Sequence, residues 1–413
     1  MRFSALYKKI IRHGGIFMKL ANRVDNMTPS LTIGISSKVK EMKASGIDVL
    51  NISIGEPDFT VPEKAKAYGK KSLDDNCTKY DLVPGLKILR EEIAKKLKKE
   101  NNCDYTADEI VVSSGAKNSI TNALLAVTNP GDEVLIPKPY WVSYPEIAKI
   151  VGAVPKFIDT DKKHGFKLTK GELEAAVTEK SKLLILTNPS NPTGSIYTKE
   201  ELEDIVDVCS KHNIFILADE IYERICYTGE FTSVASLSEK AKEITITLNG
   251  FAKSVAMTGL RLGYTATNRE LAKAMSSIQG HIVSHPSLTA QYIGYGALVE
   301  CEDDINHMVE VYKSRRDMLV KRLDEIEHVG YVQPDGAFYM FIDLSEVAEK
   351  YNYKESFSLE FCDEFLNEYK VAGVPGAAFG LDEYMRISYA CSEETFMEAM
   401  NRLEAFIKRI FAE

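Results

Sequence analysis

Between residues 109 and 250 the chain repeats one pattern: a short apolar run, a turn, then a stretch with helical spacing. EIVVSSG (109–115) leads into AKNSITNALLAVT (116–128), whose apolar residues recur with helical period. DEVLIPKPYW, KLLILTNPSNPTG, IFILADEIY and EITITLNGFAK repeat the apolar run. TKEELEDIVDVCSKHN, between two of them, reads as an amphipathic helix with a threonine N-cap and an acidic first turn. Strands that lack polar alternation are buried on both faces. Bracketed by helices, they predict an α/β fold with a mostly parallel sheet covered on both sides. Open sheets of this kind bind ligands beyond the carboxyl ends of their strands. That is where this chain collects its polar and reactive side chains.

Downstream the pattern changes. A long helical stretch near 304–328 precedes GYVQPDGAFYMFIDL, which alternates like a strand. A helix at about 356–370, the strand YMRISYA and a terminal helix follow. This predicts a smaller α+β domain. DVLNISIGEPDF (48–59) has the same strand-and-turn character, so the two chain ends are expected to share that domain.

Composition narrows the function classes. With 51 basic and 60 acidic residues the formal net charge is -9, so no surface for duplex nucleic acid is expected. Seven cysteines, odd in number and without a CxxC pair, read as reduced cytosolic thiols rather than a disulfide framework or a metal site. No apolar run approaches the roughly 20 residues that cross a bilayer, so no membrane partner is expected. The opening MRFSALYKKIIRHGGIF is basic and partly apolar. Lys8, Lys9, Arg12 and His13 break its apolar core and no cleavage site follows, so it reads as an extension ahead of Met18. A cytoplasmic location is expected.

Two cations stand in an unpolar segment. NGFAKSVAMTGLRLGY (249–264) holds Lys253 and Arg261 among small and apolar residues. Lysine usually snorkels to the surface. Placed just after a buried strand it can instead lose its water, which lowers the amine's pKa and makes it a nucleophile toward carbonyl carbon. Arg261 is always charged and can hold a phosphate in a fork. Asp219 closes the apolar run 214–218, where a carboxylate is costly unless a cation or several donors meet it. A salt bridge or a helix cap would serve as well. Tyr222, three residues on, faces the same side of the turn. Asn191, in NPSNPTG, ends another strand and reads as a turn residue or a hydrogen-bond partner. SSGAKN (113–118) joins a strand to a helix whose free amides would suit a phosphate, although the chain has no GxxxxGKS or GxxxxGKT loop. Trp141, the one tryptophan, is core or a flat platform. An amine, a carboxylate, hydrogen-bond partners, a flat face and a phosphate cup are together what a pyridine-aldehyde cofactor needs.

In chain order, GEPDF (55–59), TKY (78–80), GAKN (115–118), PYWVSY (139–144), NPSNPTG (188–194), DEIY (219–222), AKSVAMTGLRLGY (252–264) and MRISYA (385–390) form a set. The set resembles the fold-type-I, pyridoxal-phosphate-dependent aminotransferases of class I, and most closely the gamma subgroup of aspartate aminotransferases. The resemblance covers about residues 18–413. It implies a large domain with a mostly parallel seven-stranded sheet covered by helices, plus a smaller α+β domain from both chain ends. The boundaries it implies are an extension over 1–17, an arm and part of the small domain over 18–66, the large cofactor-binding domain over 67–303, and the rest of the small domain over 304–413.

The resemblance also implies pyridoxal 5'-phosphate as cofactor and no metal. Lys253 would bond the cofactor's aldehyde and shuttle the proton, and Asp219 would pair with the pyridinium nitrogen. Asn191 and Tyr222 would hold the ring oxygen, with Trp141 stacked on the ring. The backbone amides of Ala116 and Lys117, together with Arg261, would hold the phosphate. Tyr80 would reach the phosphate of a partner subunit, which implies a homodimer. Arg386 would fork onto the substrate α-carboxylate beside the backbone of Gly55, with Trp141 and Asn191 also bordering the substrate. The Lys117 side chain and Thr32 would face the distal carboxylate. Three departures stand out. Gly250 takes the place where some members have serine, GAKN replaces the commoner GGKQ, and HIVSH (281–285) stands where many relatives have small hydroxyl residues. His281 and His285 would add positive charge near the neighbour's site or narrow it.

The expected activity is amino transfer between an L-amino acid, aspartate or glutamate, and a 2-oxo acid. An aromatic, alanine or prephenate-type aminotransferase, or a carbon–sulfur β-lyase, would use the same cofactor. A cofactor-sensing regulator would need a DNA-binding module, for which only the stretch before Met18 is left.

Overall fold

The computed structural model describes residues 20–412 and, as backbone, the short strands Ile11–His13 and Ile16–Met18, which pair antiparallel. The extension read at 1–17 otherwise lies outside the described residues, as does Glu413.

Seven strands form the large sheet, in the order Ile110–Ser113, Gly263–Ala266, Thr245–Gly250, Phe215–Asp219, Ser181–Thr187, Glu133–Pro137 and Val154–Ile158. The last five pair parallel. Only Gly263–Ala266 runs antiparallel, to both of its neighbours. Successive side chains of a strand point to opposite faces, and here both faces are covered. Leu184 and Leu186 pack with Leu202, Ile205 and Val206 of the helix Lys199–Lys211. Leu183 and Ile185 pack on the other side with Ile120 and Leu124 of the helix Ala116–Val127 and with Ile147 of Tyr144–Val151. Each such aliphatic side chain gains about 1.5–3 kcal/mol from burial, so an apolar run without alternation is what this layer requires. The helix Lys199–Lys211 begins where its sequence signals. The Thr198 hydroxyl accepts from the Glu201 amide at 3.3 Å, and the Glu201 carboxylate accepts from the Thr198 amide at 2.8 Å.

The smaller domain carries an antiparallel sheet in the order Gly330–Tyr331, Tyr339–Asp343, Tyr384–Ser388, Val374–Pro375. Phe361 and Phe365 of Phe357–Tyr369, and Phe396, Leu403 and Phe406 of Glu393–Ala412, cover Met340, Ile342, Met385 and Ile387. Both chain ends meet here. The strand Leu50–Asn51 pairs parallel with Val371–Ala372, and the Ser388 amide donates to the Ile52 carbonyl at 2.8 Å.

One buried ion pair fixes the loop after the central strand. Lys96, on the helix Lys87–Asn101, donates to Glu223, and Asn101 donates to the same carboxylate. All three side chains are buried. Removing the lysine leaves a carboxylate without its counter-charge. Lys96→Ala should therefore cost about 3–5 kcal/mol, seen as a lowered thermal midpoint, whereas Lys96→Met combined with Glu223→Leu should regain most of it.

Candidate active site

The C-terminal ends of Ser181–Thr187 and Phe215–Asp219, with Ala252 and Lys253 just beyond Thr245–Gly250, form the floor of a cavity of about 720 Å³, and the small domain supplies its roof. Asp219, 4% exposed, is the last residue of its strand. Tyr144 donates its hydroxyl to one carboxylate oxygen at 2.6 Å, and the Ile221 amide donates to the other at 3.3 Å. The Tyr144 hydroxyl also lies 2.8 Å from that of Thr187, which the sheet register sets beside Asp219. Burial pushes the Asp219 carboxyl up to about 6, against the opposing pull of Tyr144, Ile221 and Lys253. A cation placed against it would restore the ordinary carboxylate range.

Lys253 follows the strand Thr245–Gly250 and donates its amine to the carbonyl of Gly55. The amine lies 5.8 Å from the centre of the Tyr222 ring and 5.7 Å from that of Phe338. The residue is half-buried because it lines the cavity, yet the protein around its amine is dense enough for desolvation to dominate. Burial first, then Arg386 and Arg261, lower its pKa to about 8, while Glu56 and Asp219 act the other way.

At one end of the cavity the helix Ala116–Val127 begins, and the amides of Ala116 and Lys117 have no partner within the helix. The Arg261 guanidinium packs on the turn before it. A Cβ on Gly115 would stand 2.6 Å from that guanidinium, and the backbone there has φ of 85°, so only glycine serves. The Thr258 carbonyl accepts from Arg261 at 2.7 Å, and the Thr258 hydroxyl donates to Glu56 at 2.7 Å. The Lys117 amine lies 5.0 Å over the Trp141 ring, and burial, then Arg261, lowers its pKa. Trp141 meets Tyr144 edge-on at 5.3 Å between centroids.

At the roof stands Arg386, on the strand Tyr384–Ser388 and 3% exposed. It donates to the Asn191 side-chain oxygen and to the Ser53 carbonyl, each at 3.1 Å. Its guanidinium sits 4.3 Å above the centre of the Tyr339 ring. Its Nε is buried without a partner among the described residues. Burial lowers its pKa from the usual guanidinium value.

Thr32 and Gly55 complete the wall, so the cavity gathers every site residue expected from the sequence except Tyr80. Tyr80 is 90% exposed and stands edge-on to His285 at 6.1 Å, outside this chain's cavity. His285 accepts from the Asp81 amide at 3.1 Å, and neither it nor His281 lines the cavity. The glycine at 250 has a steric reason: a Cβ there would lie 2.9 Å from the Gly263 Cα and 3.0 Å from the Leu262 carbonyl oxygen. Sequence reasoning passed over Tyr144, Thr187, Tyr339, Glu56 and Thr258, all on the cavity wall. Tyr144 and Thr258 lie inside motifs already singled out, so their polarity within those motifs was the available signal. Tyr339 sits in an alternating strand and has no local signal.

A lysine amine with anion-binding groups on either side suits an enzyme that exchanges amines on carbonyl carbon while holding acidic ligands. The pattern of the family described as aminotransferase class I and II matches residues 47–403, and the chain belongs to that family. The aspartate aminotransferase of Bacillus sp. (strain YM-2) is 42% identical over 390 residues, which span 94% of this chain and 99% of the relative. The probable aspartate/prephenate aminotransferase of Aquifex aeolicus (strain VF5) is also 42% identical, over 95% of this chain and 99% of its own. The crystal structure of the aspartate aminotransferase from Rhizobium meliloti matches with a TM-score of 0.91 at 37% identity, covering 95% of this chain and 99% of that one. The α/β fold expected from the sequence is the fold of these neighbours.

The lowered pKa of Lys253 has a direct readout. Its neutral, nucleophilic form should dominate above pH 8 and disappear below it. Trapping a small aldehyde with cyanoborohydride, residue by residue, should show a midpoint near 8 for Lys253.

Proposed function

We propose that the protein is a pyridoxal-5'-phosphate-dependent aspartate aminotransferase, acting as a homodimer in the cytoplasm. In this reading it moves the amino group of aspartate or glutamate onto 2-oxoglutarate or oxaloacetate. One observation carries it: the amine of Lys253, the carboxylate of Asp219 and the guanidinium of Arg386 open into a single cavity. The names of the relatives, matched over nearly their full lengths, support the choice of substrate.

The residues present fit the cofactor. The helix start at Ala116, the Arg261 guanidinium and the side-chain-free Gly115 form a cradle for a phosphate. The buried Asp219, pushed up to about 6, calls for a cationic partner such as a protonated ring nitrogen. When bound, pyridoxal phosphate supplies an aldehyde that captures amines and a ring that accepts the electron pair left when the substrate's Cα–H bond breaks.

The chain's own side chains do the rest. Asp219 holds a proton on the ring nitrogen. Lys253, whose pKa burial lowers to about 8, would hold the aldehyde, and its free amine would carry the Cα proton. Arg386, aimed by Asn191 and the Ser53 carbonyl, forks onto the α-carboxylate. Tyr222 and Asn191 would hold the ring oxygen, and Trp141 would stack on the ring. Lys117 and Thr32 face the distal carboxylate. Tyr80, exposed beside His285, would serve the partner's phosphate. Seven free thiols support a reducing compartment. Among the described residues no helix is long and apolar enough to cross a membrane.

Steady-state kinetics with aspartate, alanine and phenylalanine as donors test the substrate reading. Lys117→Ala should lose about 1–3 kcal/mol of specificity for aspartate alone, a charged hydrogen bond's worth. An equal loss for all three donors would leave Lys117 only its place at the phosphate. Prephenate belongs among the acceptors, given the Aquifex relative's name. Lys253→Ala should lose several orders of magnitude in rate, since nucleophile and proton carrier go together.

Mixing subunits tests the dimer. A hybrid of Lys253→Ala and Tyr80→Phe chains should hold one site with both lesions and one with neither, and so show the turnover of one unaltered site. An active monomer on a sizing column would refute the shared site.

A further inference from the structure

Tyr339 has no part in the chemistry above, yet it is 1% exposed and lines the roof of the cavity. It opens the strand Tyr339–Asp343 and pairs with Ser388, two residues from Arg386 on the adjacent strand. That diagonal places the Arg386 guanidinium over its ring, 4.3 Å from the centre. Its hydroxyl meets the hydroxyl of Tyr222 at 2.9 Å. Tyr222 is buried as well.

Two phenols in contact share one hydrogen bond, and its direction decides what Tyr222 offers the cavity. If Tyr339 donates, the Tyr222 proton is free to point inward. If Tyr222 donates, its proton is used up on Tyr339. Three charges surround the pair. Arg386 stabilises negative charge on both phenols and lies directly over the Tyr339 ring, whereas Asp219 disfavours it on Tyr222 alone. Lys253 lies 5.8 Å from the Tyr222 ring, and burial lowers its pKa to about 8. A cation above a phenol ring makes its hydroxyl the better donor, and a nearby carboxylate makes the other the better acceptor.

We infer that Tyr339 is a positioning residue: it donates its hydroxyl proton to Tyr222 and so turns the Tyr222 proton into the cavity, toward the ring oxygen of the cofactor. The inference rests on the cofactor reading above. It deepens that reading by giving the small domain a hold on the cofactor's ring through a side chain that does not touch it. Tyr339 would also polarise Tyr222, making it a stronger donor to that oxygen.

The test is a spectroscopic pH titration of the cofactor-loaded protein, in wild type, Tyr339→Phe, Tyr222→Phe and the double variant. Phenylalanine keeps the ring beneath Arg386 and removes only the hydroxyl. A weaker donor leaves the charged ring oxygen less stabilised, so the midpoint of the visible band should rise by about 0.5–1 pH unit in Tyr339→Phe. It should rise further in Tyr222→Phe, and the double variant should match Tyr222→Phe. kcat should fall while KM for aspartate, which reads Arg386, stays nearly unchanged. An unmoved midpoint in Tyr339→Phe overturns the inference, as does a shift that persists in the Tyr222→Phe background. Wild-type protein with no visible band overturns the cofactor reading, and this inference with it.

Discussion

A carboxylate shut away from water at the end of a parallel strand has to be met by donors, and the floor of the cavity is built from what meets Asp219. Tyr144 arrives from the start of a helix, held in turn by the Thr187 hydroxyl of the adjacent strand, and the Ile221 amide comes from the turn that follows. The same turn then carries Glu220, whose carboxylate accepts from the Ser233 hydroxyl and the Val234 amide, and Glu223, met by Lys96 and Asn101. Three buried acids within five residues would unfold an ordinary loop. Here each is answered by a different element, so the backbone between them has little freedom. Tyr222, in the middle, inherits a fixed direction toward the cavity.

The roof answers a second electrostatic need. Arg386 is buried on a strand with no carboxylate in contact among the described residues. Two neutral oxygens and two aromatic rings, Tyr339 and Phe379, hold it in place. With Lys117 and Arg261 at the other end, the cavity carries positive charge at both ends and a carboxylate on its floor. A small molecule with acidic groups at its extremities and a protonated ring between them would match that distribution.

The large sheet was legible because its signal is local. Leu183 to Leu186 are apolar in succession because both faces of their strand are covered, and that is visible in four letters. Gly263–Ala266 was not read as a strand, since four residues with a glycine at one end give little pattern and its antiparallel place depends on neighbours far away in sequence. In the site, Lys253 and Asp219 announced themselves as charges where charge is costly, whereas Arg261, singled out by the unpolar letters around it, is exposed in the structure. Thr32 and Arg386 were accessible through resemblance alone, because a threonine near a helix start and an arginine in a strand have many ordinary uses. Tyr339 escaped both routes. A tyrosine in an apolar strand is unremarked until the fold puts a guanidinium on its ring.

The pairing of Leu50–Asn51 with Val371–Ala372 sets an order on the birth of the molecule. Everything needed for the large sheet, from Ile110 to Ala266, leaves the ribosome before the partner of that first strand exists. At roughly 5–20 residues per second the N-terminal strand waits on the order of half a minute for its mate. Only then can Ser53 meet Arg386, so the floor of the cavity is in place well before its roof. A nascent chain halted after Ala266 but before the strand Tyr384–Ser388 would hold Asp219 and Lys253 on a finished sheet, without Arg386 above them.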